Sequence, residues 1–402
     1  MYTKCGHCGE ILVDPGTDFV CPKCGTTIKT RAEFFEAVEV VEEGPSEPQY
    51  REMTLYTVFK AIASGGSLLA ILAYTLMLVL CILVYFYAIP TVLVHWPELN
   101  AIPFIIVPMP LGLVELQGYA AGAYWIFIVV LFGAALFWLV WPERAQLKKT
   151  VLDSLPRVRA PARSNKTTFV VVAQMFLAII FFDYLYYFFI ELTNTSTNTP
   201  PFEQAKLWEN LYGFLNASVW EEIAARVLLI GAPFLIFLLV KAIAENKFTE
   251  KTMDTNKAFR RALRVLVGGH GEFTPVIAGL ILFSALMFGF AHAPGWDMYK
   301  VIPTAVSGLG FGYIYVKKGL HGAIMLHFSF DYLGMAEGFL PNNSATQSAL
   351  VFILLLWLAV GMIYFIYYGA KMVRYFAEPD EGWKRPPEGT GGRLVWDLVG
   401  WK

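Results

Sequence analysis

The chain has 402 residues, of which 56% are hydrophobic, 16% aromatic and only 16% charged, with a formal net charge of −1. That apolar excess, well above the share of an ordinary soluble domain, predicts a multi-pass membrane protein lodged in a lipid bilayer. Nothing in the charge balance points to nucleic acid, and no nucleic acid partner is expected.

Residues 1–29 form the first element. Two Cys-x-x-Cys knuckles, Cys5-Gly-His-Cys8 and Cys21-Pro-Lys-Cys24, are each followed by glycine. Thiolates two residues apart can bind one tetrahedral zinc from a tight turn, and a second knuckle closes the site with four sulfurs. The pattern resembles the zinc ribbons attached to many otherwise unrelated proteins. It implies a structural zinc on Cys5, Cys8, Cys21 and Cys24, and a module that could dock a protein partner. A ribbon this small has almost no core, so metal binding would supply much of its folding free energy. His7 reads as an exposed loop side chain, and Cys81, far along in an apolar stretch, as a small buried hydrophobe. No cleavable signal peptide is visible, so the first membrane helix is expected to act as the targeting signal.

Residues 30–58, acidic and containing GPSEPQ, read as a cytosolic linker. A transmembrane domain is expected over 59–377, with apolar runs near 64–94, 119–141, 168–191, 209–240, 274–293, 301–316, 319–340 and 347–370. The predicted fold is therefore an all-α polytopic membrane protein of about eight transmembrane helices, preceded by the four-cysteine ribbon. The stretch 101–117 is apolar but broken by three prolines, and reads as interfacial or re-entrant. The glycine-rich sixth run suits a helix packed among others rather than facing lipid. A cytosolic tail is expected over 378–402. Basic residues concentrate in 143–166 and again after Lys241, which predicts that both connections and both termini are cytoplasmic. A reducing compartment would then favour metal over disulfide in the ribbon.

Three motifs lie inside the apolar half: Glu221, Glu222 and Arg226 in WEEIAARVLL, Phe288 and His292 in FGFAH, and His327 and Asp331 in HFSFD. An ionisable side chain in hydrocarbon costs at least a few kcal/mol unless paired or hydrated, so such a cluster marks a functional site. Each motif contains a pair four residues apart, which stacks on one helix face. Glu222 can pair with Arg226 in this way, leaving Glu221 on a different face without that partner. Phe288, one turn before His292, can pack against its imidazole. Asp183 could line the same site or make a structural hydrogen bond. His321, His95 and His270 read as interfacial or loop residues. Gly308, Gly310 and Gly312 suit close helix contact.

In order on successive helices, EExxxR, FxxxH and HxxxN/D, with GLGFGYIYVKKGLHGAIMLHFSFD running into the last, resemble the CPBP intramembrane protease family, which includes the CAAX prenyl protease 2 enzymes. The likeness covers roughly residues 170–340. It implies catalytic Glu221, His292, His327 and Asp331, supported by Glu222, Arg226 and Phe288. Glu221 would be the general base, His292 would help to hold the water, and His327 with Asp331 would stabilise the oxyanion. Asp331 stands where the prenyl protease branch has asparagine. A carboxylate there is expected to act indirectly, by accepting a hydrogen bond from His327 and orienting it.

Three functions follow. The first is an intramembrane glutamate endopeptidase that needs no metal at the membrane site and cuts a membrane-associated peptide or protein, with a lipid-anchored CAAX-type tail as one candidate. The second is a zinc peptidase with Glu221, His292 and His327 as ligands. The third is a catalytically silent relative that binds or protects a membrane partner.

Overall fold

The computed structural model describes residues 2–4, 11–13, 19–20, 27–28, 55–98, 116–156, 167–195, 197, 200, 202, 204–244, 262–271 and 273–377. The chain divides into two units, Met1–Thr54 and Leu55–Lys402. In the first, four short strands make two antiparallel pairs: β1 (Tyr2–Lys4) with β2 (Ile11–Val13), and β3 (Phe19–Val20) with β4 (Thr27–Ile28). In sequence, one Cys-x-x-Cys knuckle falls within each hairpin, but Cys5, Cys8, Cys21 and Cys24 themselves lie outside the described residues. So do most of the linker, the proline-rich 101–115, and the tail from 378.

The second unit is built from helices: α1 (Leu55–Val94), α2 (Tyr119–Val140), α3 (Arg144–Ser154), α4 (Thr168–Leu192), α5 (Leu207–Asn216), α6 (Ala232–Ala244), α7 (Pro275–Trp296), α8 (Val301–Lys318), α9 (Leu320–Gly338) and α10 (Ser344–Ala377). Two π-helical stretches, Ala217–Glu221 and Ile223–Gly231, join α5 to α6. Six stretches among the described residues are long and apolar enough to cross a membrane: Ser64–Val94, Tyr119–Val140, Thr168–Leu192, Leu207–Val240, Pro275–Trp296 and Ser344–Val373. The expected sixth and seventh spans, α8 and α9, fall outside that set. Both are interior helices, buried almost continuously over Gly310–Val316 and Gly322–Ser329. A helix walled by protein can carry the polar side chains that a lipid-facing one excludes.

Lipid exposure is written into α1. Leu69, Leu72, Leu76, Val79, Leu83 and Phe86 form an exposed stripe at helical spacing, while Ala70, Tyr74, Leu78, Cys81, Tyr85 and Ala88 face inward. Such a stripe would be a liability in water and is the expected outer face in a bilayer. Inside the bundle, α4 is buried on all sides over Val170–Ile180 and packs along α10. Gln174 of α4 bonds Tyr364 and Tyr368 of α10, and Tyr74 of α1 bonds Ser329 of α9 at 2.8 Å. The start of α4 is capped twice: Thr167 accepts from the Val170 amide, and the Glu143 carboxylate accepts from the Thr168 amide and hydroxyl. An anion there also complements the helix dipole.

Two details position the site. A Cβ on Gly308 or Gly312 would press on Ala285 or Ile281 of α7, so these glycines let α8 lie close against α7. That approach brings Phe311, between them, over the titratable cluster. The basic segment after Trp141, expected only as a connection, contains the helix α3, with Lys148 and Lys149 exposed beside Val151 and Leu152. Its mixed basic and apolar surface is that of a helix lying in the headgroup region.

Candidate active site

The cluster is assembled from the π-helical stretch, α7, α8 and α9. A π-turn inserts an extra residue into a helix and re-aims its side chains, and such turns concentrate at functional sites. Here Glu221 ends one such stretch and Glu222 stands at its junction with the next, and the two are placed in opposite ways.

Glu222 is fully buried and fully engaged. Its Oε2 accepts from Arg226 Nε at 2.9 Å, and its Oε1 lies 3.0 Å from His327 Nδ1. A carboxylate paired with a guanidinium is an acceptor, so His327 Nδ1 carries the hydrogen of that bond. Arg226, also wholly buried, donates from Nη1 to Ser284 at 2.7 Å, and Ser284 donates to the Ala225 carbonyl at 2.6 Å. The guanidinium carbon stands 5.0 Å from the Phe288 ring centre and 5.6 Å from that of Phe311, within cation–π range. Arg226 thus ties Glu222 to Ser284 of α7 and packs against the rings of Phe288 and Phe311.

His292 is held by its own helix. Nδ1 lies 2.8 Å from the Phe288 carbonyl, which can only accept, so Nδ1 donates and a neutral ring leaves a lone pair on Nε2. That Nε2 is 3.8 Å from Glu221 Oε2, and His327 Nε2 is 3.9 Å from the same oxygen. Glu221 Oε2 is buried and has no hydrogen-bond partner among the described residues. Phe288 sets its edge against both imidazoles, and Phe311 stacks on His327 at 5.0 Å with an 18° tilt.

Asp331 Oδ2 lies 3.4 Å from His327 Nε2 and 2.9 Å from Ser218 Oγ. Ser218 Oγ is also 2.7 Å from the Phe214 carbonyl. A hydroxyl has one hydrogen, so bonds to both oxygens need a second proton on Asp331; otherwise Ser218 serves only one of them. The expectation that Asp331 orients His327 meets a different arrangement. Glu222 holds the ring at Nδ1, and Asp331 stands at Nε2, the nitrogen left to face a reacting group.

All seven membrane residues singled out in the sequence therefore meet in one cluster. Residues 203–333 match the model of the Rce1-like type II CAAX prenyl endopeptidase family. The matched segment starts just before α5 and ends two residues past Asp331, so it contains the whole cluster, while α1–α4, α10 and the N-terminal unit lie outside it. No curated protein and no solved structure matches the chain.

Three participants were missed by motif reading: Ser218, Ser284 and Phe311. Ser284, Phe288 and His292 are spaced by four, as are Ser218, Glu222 and Arg226, so the serines were legible as extensions of the same polar faces. Phe311 carried no such signal. His95, His270 and His321 stand apart: His95 meets Trp208 edge-on, His270 stacks on Phe234, and His321 opens α9.

The separations also test a metal. At zinc bond lengths of about 2.0–2.1 Å, ligand atoms 3.8 and 3.9 Å apart require angles near ~140°, far from tetrahedral. A water about 2.8 Å from each partner spans them at ~90°, which hydrogen bonds tolerate. Among the described residues no three His, Cys, Asp or Glu side chains are set to hold a metal ion. As placed, Glu221, His292 and His327 fit a shared water better than zinc.

Proposed function

We propose that this cluster is the active centre of an intramembrane endopeptidase, and that its substrate is a membrane-associated peptide with a prenylated CAAX-type tail. The observation that carries the reading is the buried, unbonded Oε2 of Glu221, set opposite two imidazole Nε2 atoms. An orphaned carboxylate oxygen in an apolar interior is unfavourable, and the family match supplies the reason to keep one.

In this mechanism a water sits between Glu221 Oε2 and His292 Nε2. Glu221 takes its proton as the oxygen attacks the scissile carbonyl carbon, and His292 accepts the other hydrogen to fix the water's orientation. The carbonyl oxygen becomes an oxyanion beside His327 Nε2. That nitrogen donates only when the ring is an imidazolium, a charge that Glu222, Asp331 and Glu221 surround. Collapse breaks the C–N bond, and Glu221 returns the proton to the leaving amine. Glu222 and Arg226 position His327 and touch no reacting atom. The reading calls for no cofactor at this centre. The same proposal gives residues 1–29 a separate structural zinc on Cys5, Cys8, Cys21 and Cys24, from the spacing of the cysteines, and a cytosolic side to both termini, from the basic residues of the connections.

The test is direct: the full chain in lipid nanodiscs, a farnesylated CAAX peptide, and mass spectrometry of the products. Cleavage at one internal peptide bond, persisting after chelation, is expected. Intact peptide over a panel of such tails contradicts the substrate assignment. Chelation that abolishes cleavage equally in wild type and in a Cys5→Ser/Cys8→Ser variant favours zinc at the membrane site.

A further inference from the structure

Helix α3 has no part in the titratable cluster. It joins α2, which ends at Val140, to α4, which starts at Thr168, so it lies where two spans leave the bilayer. Its buried positions, Thr150 and Ser154, mark the inner face. At about 3.6 residues per turn, Ala145, Lys148, Lys149 and Leu152 fall opposite them, with Arg144 and Leu155 along one edge. All six are exposed.

The exposed charge has one sign. Residues 141–156 contain two acids, Glu143 and Asp153. Glu143 turns inward: its carboxylate accepts from the Thr168 amide and hydroxyl and lies 3.9 Å from Lys318 Nζ. Asp153 is half-buried. Arg144, Lys148 and Lys149 are therefore the exposed charges of this segment, gathered within two helical turns. Arg144 is also held in place. Its Nη1 donates to the Trp141 carbonyl at 2.8 Å, and its guanidinium carbon stands 4.4 Å from the centre of that exposed indole. A basic residue on a tryptophan at the end of a span is the pattern of a membrane–water interface.

The leucines among the cations indicate what the face meets. A soluble polyanion would pair with the lysines and leave the exposed Leu152 and Leu155 in water. A layer of lipid headgroups accommodates both. The leucines reach the acyl boundary, and the lysine stems lie along it with their ammonium groups at phosphate depth. A zwitterionic headgroup cancels its own phosphate charge, whereas an anionic one does not, and each basic residue near an anionic surface contributes about a fivefold preference. We propose that the outward face of α3 is a binding surface for anionic phospholipid, which gathers such lipid around the chain beyond its share of the bilayer.

The test does not depend on the endopeptidase reading. The full chain, with Leu152 replaced by the photo-crosslinking residue benzoylphenylalanine, is placed in nanodiscs of phosphatidylcholine containing a minority of phosphatidylglycerol. After illumination the lipid adducts are counted by mass spectrometry. Phosphatidylglycerol should be enriched among them by about fivefold or more over its share of the bilayer. On the same background, Arg144→Gln/Lys148→Gln/Lys149→Gln should return the adducts to the bulk ratio, while Lys148→Arg/Lys149→Arg should keep the enrichment. Thermal unfolding checks that the triple variant folds; if it does not, Lys148→Gln/Lys149→Gln is read in its place, with most of the enrichment lost. Adducts at the bulk ratio before neutralisation, or an enrichment that survives it, overturn the proposal. So does an absence of lipid adducts, which would set α3 clear of the headgroups. Inorganic phosphate or polyglutamate that abolishes the enrichment at matched ionic strength shows a site for a soluble anion instead, and overturns the lipid assignment.

Discussion

Neutralising two adjacent glutamates should affect stability in opposite directions. In Glu222→Gln the buried Arg226 loses the one carboxylate that pairs with it among the described residues, since its other bond goes to the neutral Ser284. Breaking a fully buried ion pair from one side costs about 3–5 kcal/mol, and His327 Nδ1 loses its charged acceptor as well. That is roughly a 10²- to 10³-fold or larger loss in the unfolding equilibrium, since about 1.4 kcal/mol corresponds to tenfold. Glu221→Gln removes a charge whose Oε2 has no hydrogen bond to lose among the described residues. Relief of one buried, unbonded carboxylate oxygen on a side chain that is otherwise about 30% exposed should leave stability equal or slightly higher, by up to about 1 kcal/mol. Thermal unfolding of both variants in nanodiscs, followed by tryptophan fluorescence, checks this. A Glu221→Gln chain as destabilised as Glu222→Gln would refute the division of roles, because it would show Glu221 bonded into the structure.

Further outcomes follow from the same geometry. Asp331→Asn should keep or raise cleavage if residue 331 meets the oxyanion, since an amide donates where a carboxylate only accepts; a drop of tenfold or more would show that its charge acts through His327. Ser218→Ala should lower kcat several-fold with little change in KM, measured by peptide release, because it frees Asp331 from its 2.9 Å partner. Cysteines at Ala145 and Thr197 should differ in labelling by an impermeant thiol reagent on intact cells, with only Thr197→Cys reactive above the parent protein. Atomic absorption should find about one zinc per chain, lost in Cys5→Ser/Cys8→Ser, while cleavage persists.

Most of the site was legible because its residues break the apolar pattern. A carboxylate or imidazole in a lipid-length run has few explanations, and spacing by four assigned Glu222 to Arg226 correctly before any fold was known. What spacing could not supply was the environment from other helices. The partner that holds His327 is Glu222, 105 residues away, and nothing in HFSFD announces it. Phe311 reaches the cluster only because Gly308 and Gly312 let α8 press on α7. The π-helical stretch was invisible for a different reason: its residues read as ordinary helix, and an extra residue per turn leaves no mark in an apolar pattern. Six of the eight expected spans coincide with stretches long and apolar enough to cross a membrane among the described residues, whereas α8 and α9 lie outside that set and are largely walled by protein, which relaxes the hydropathy requirement.

The central claim is that Glu221 activates the attacking water. Glu221→Gln keeps the size and the polarity of the side chain but cannot take a proton, so it isolates that function. Cleavage of the farnesylated peptide by this variant in nanodiscs should fall by about two orders of magnitude or more, with the protein folded and binding intact. Wild-type cleavage by Glu221→Gln, in a preparation free of other proteases, would contradict the account.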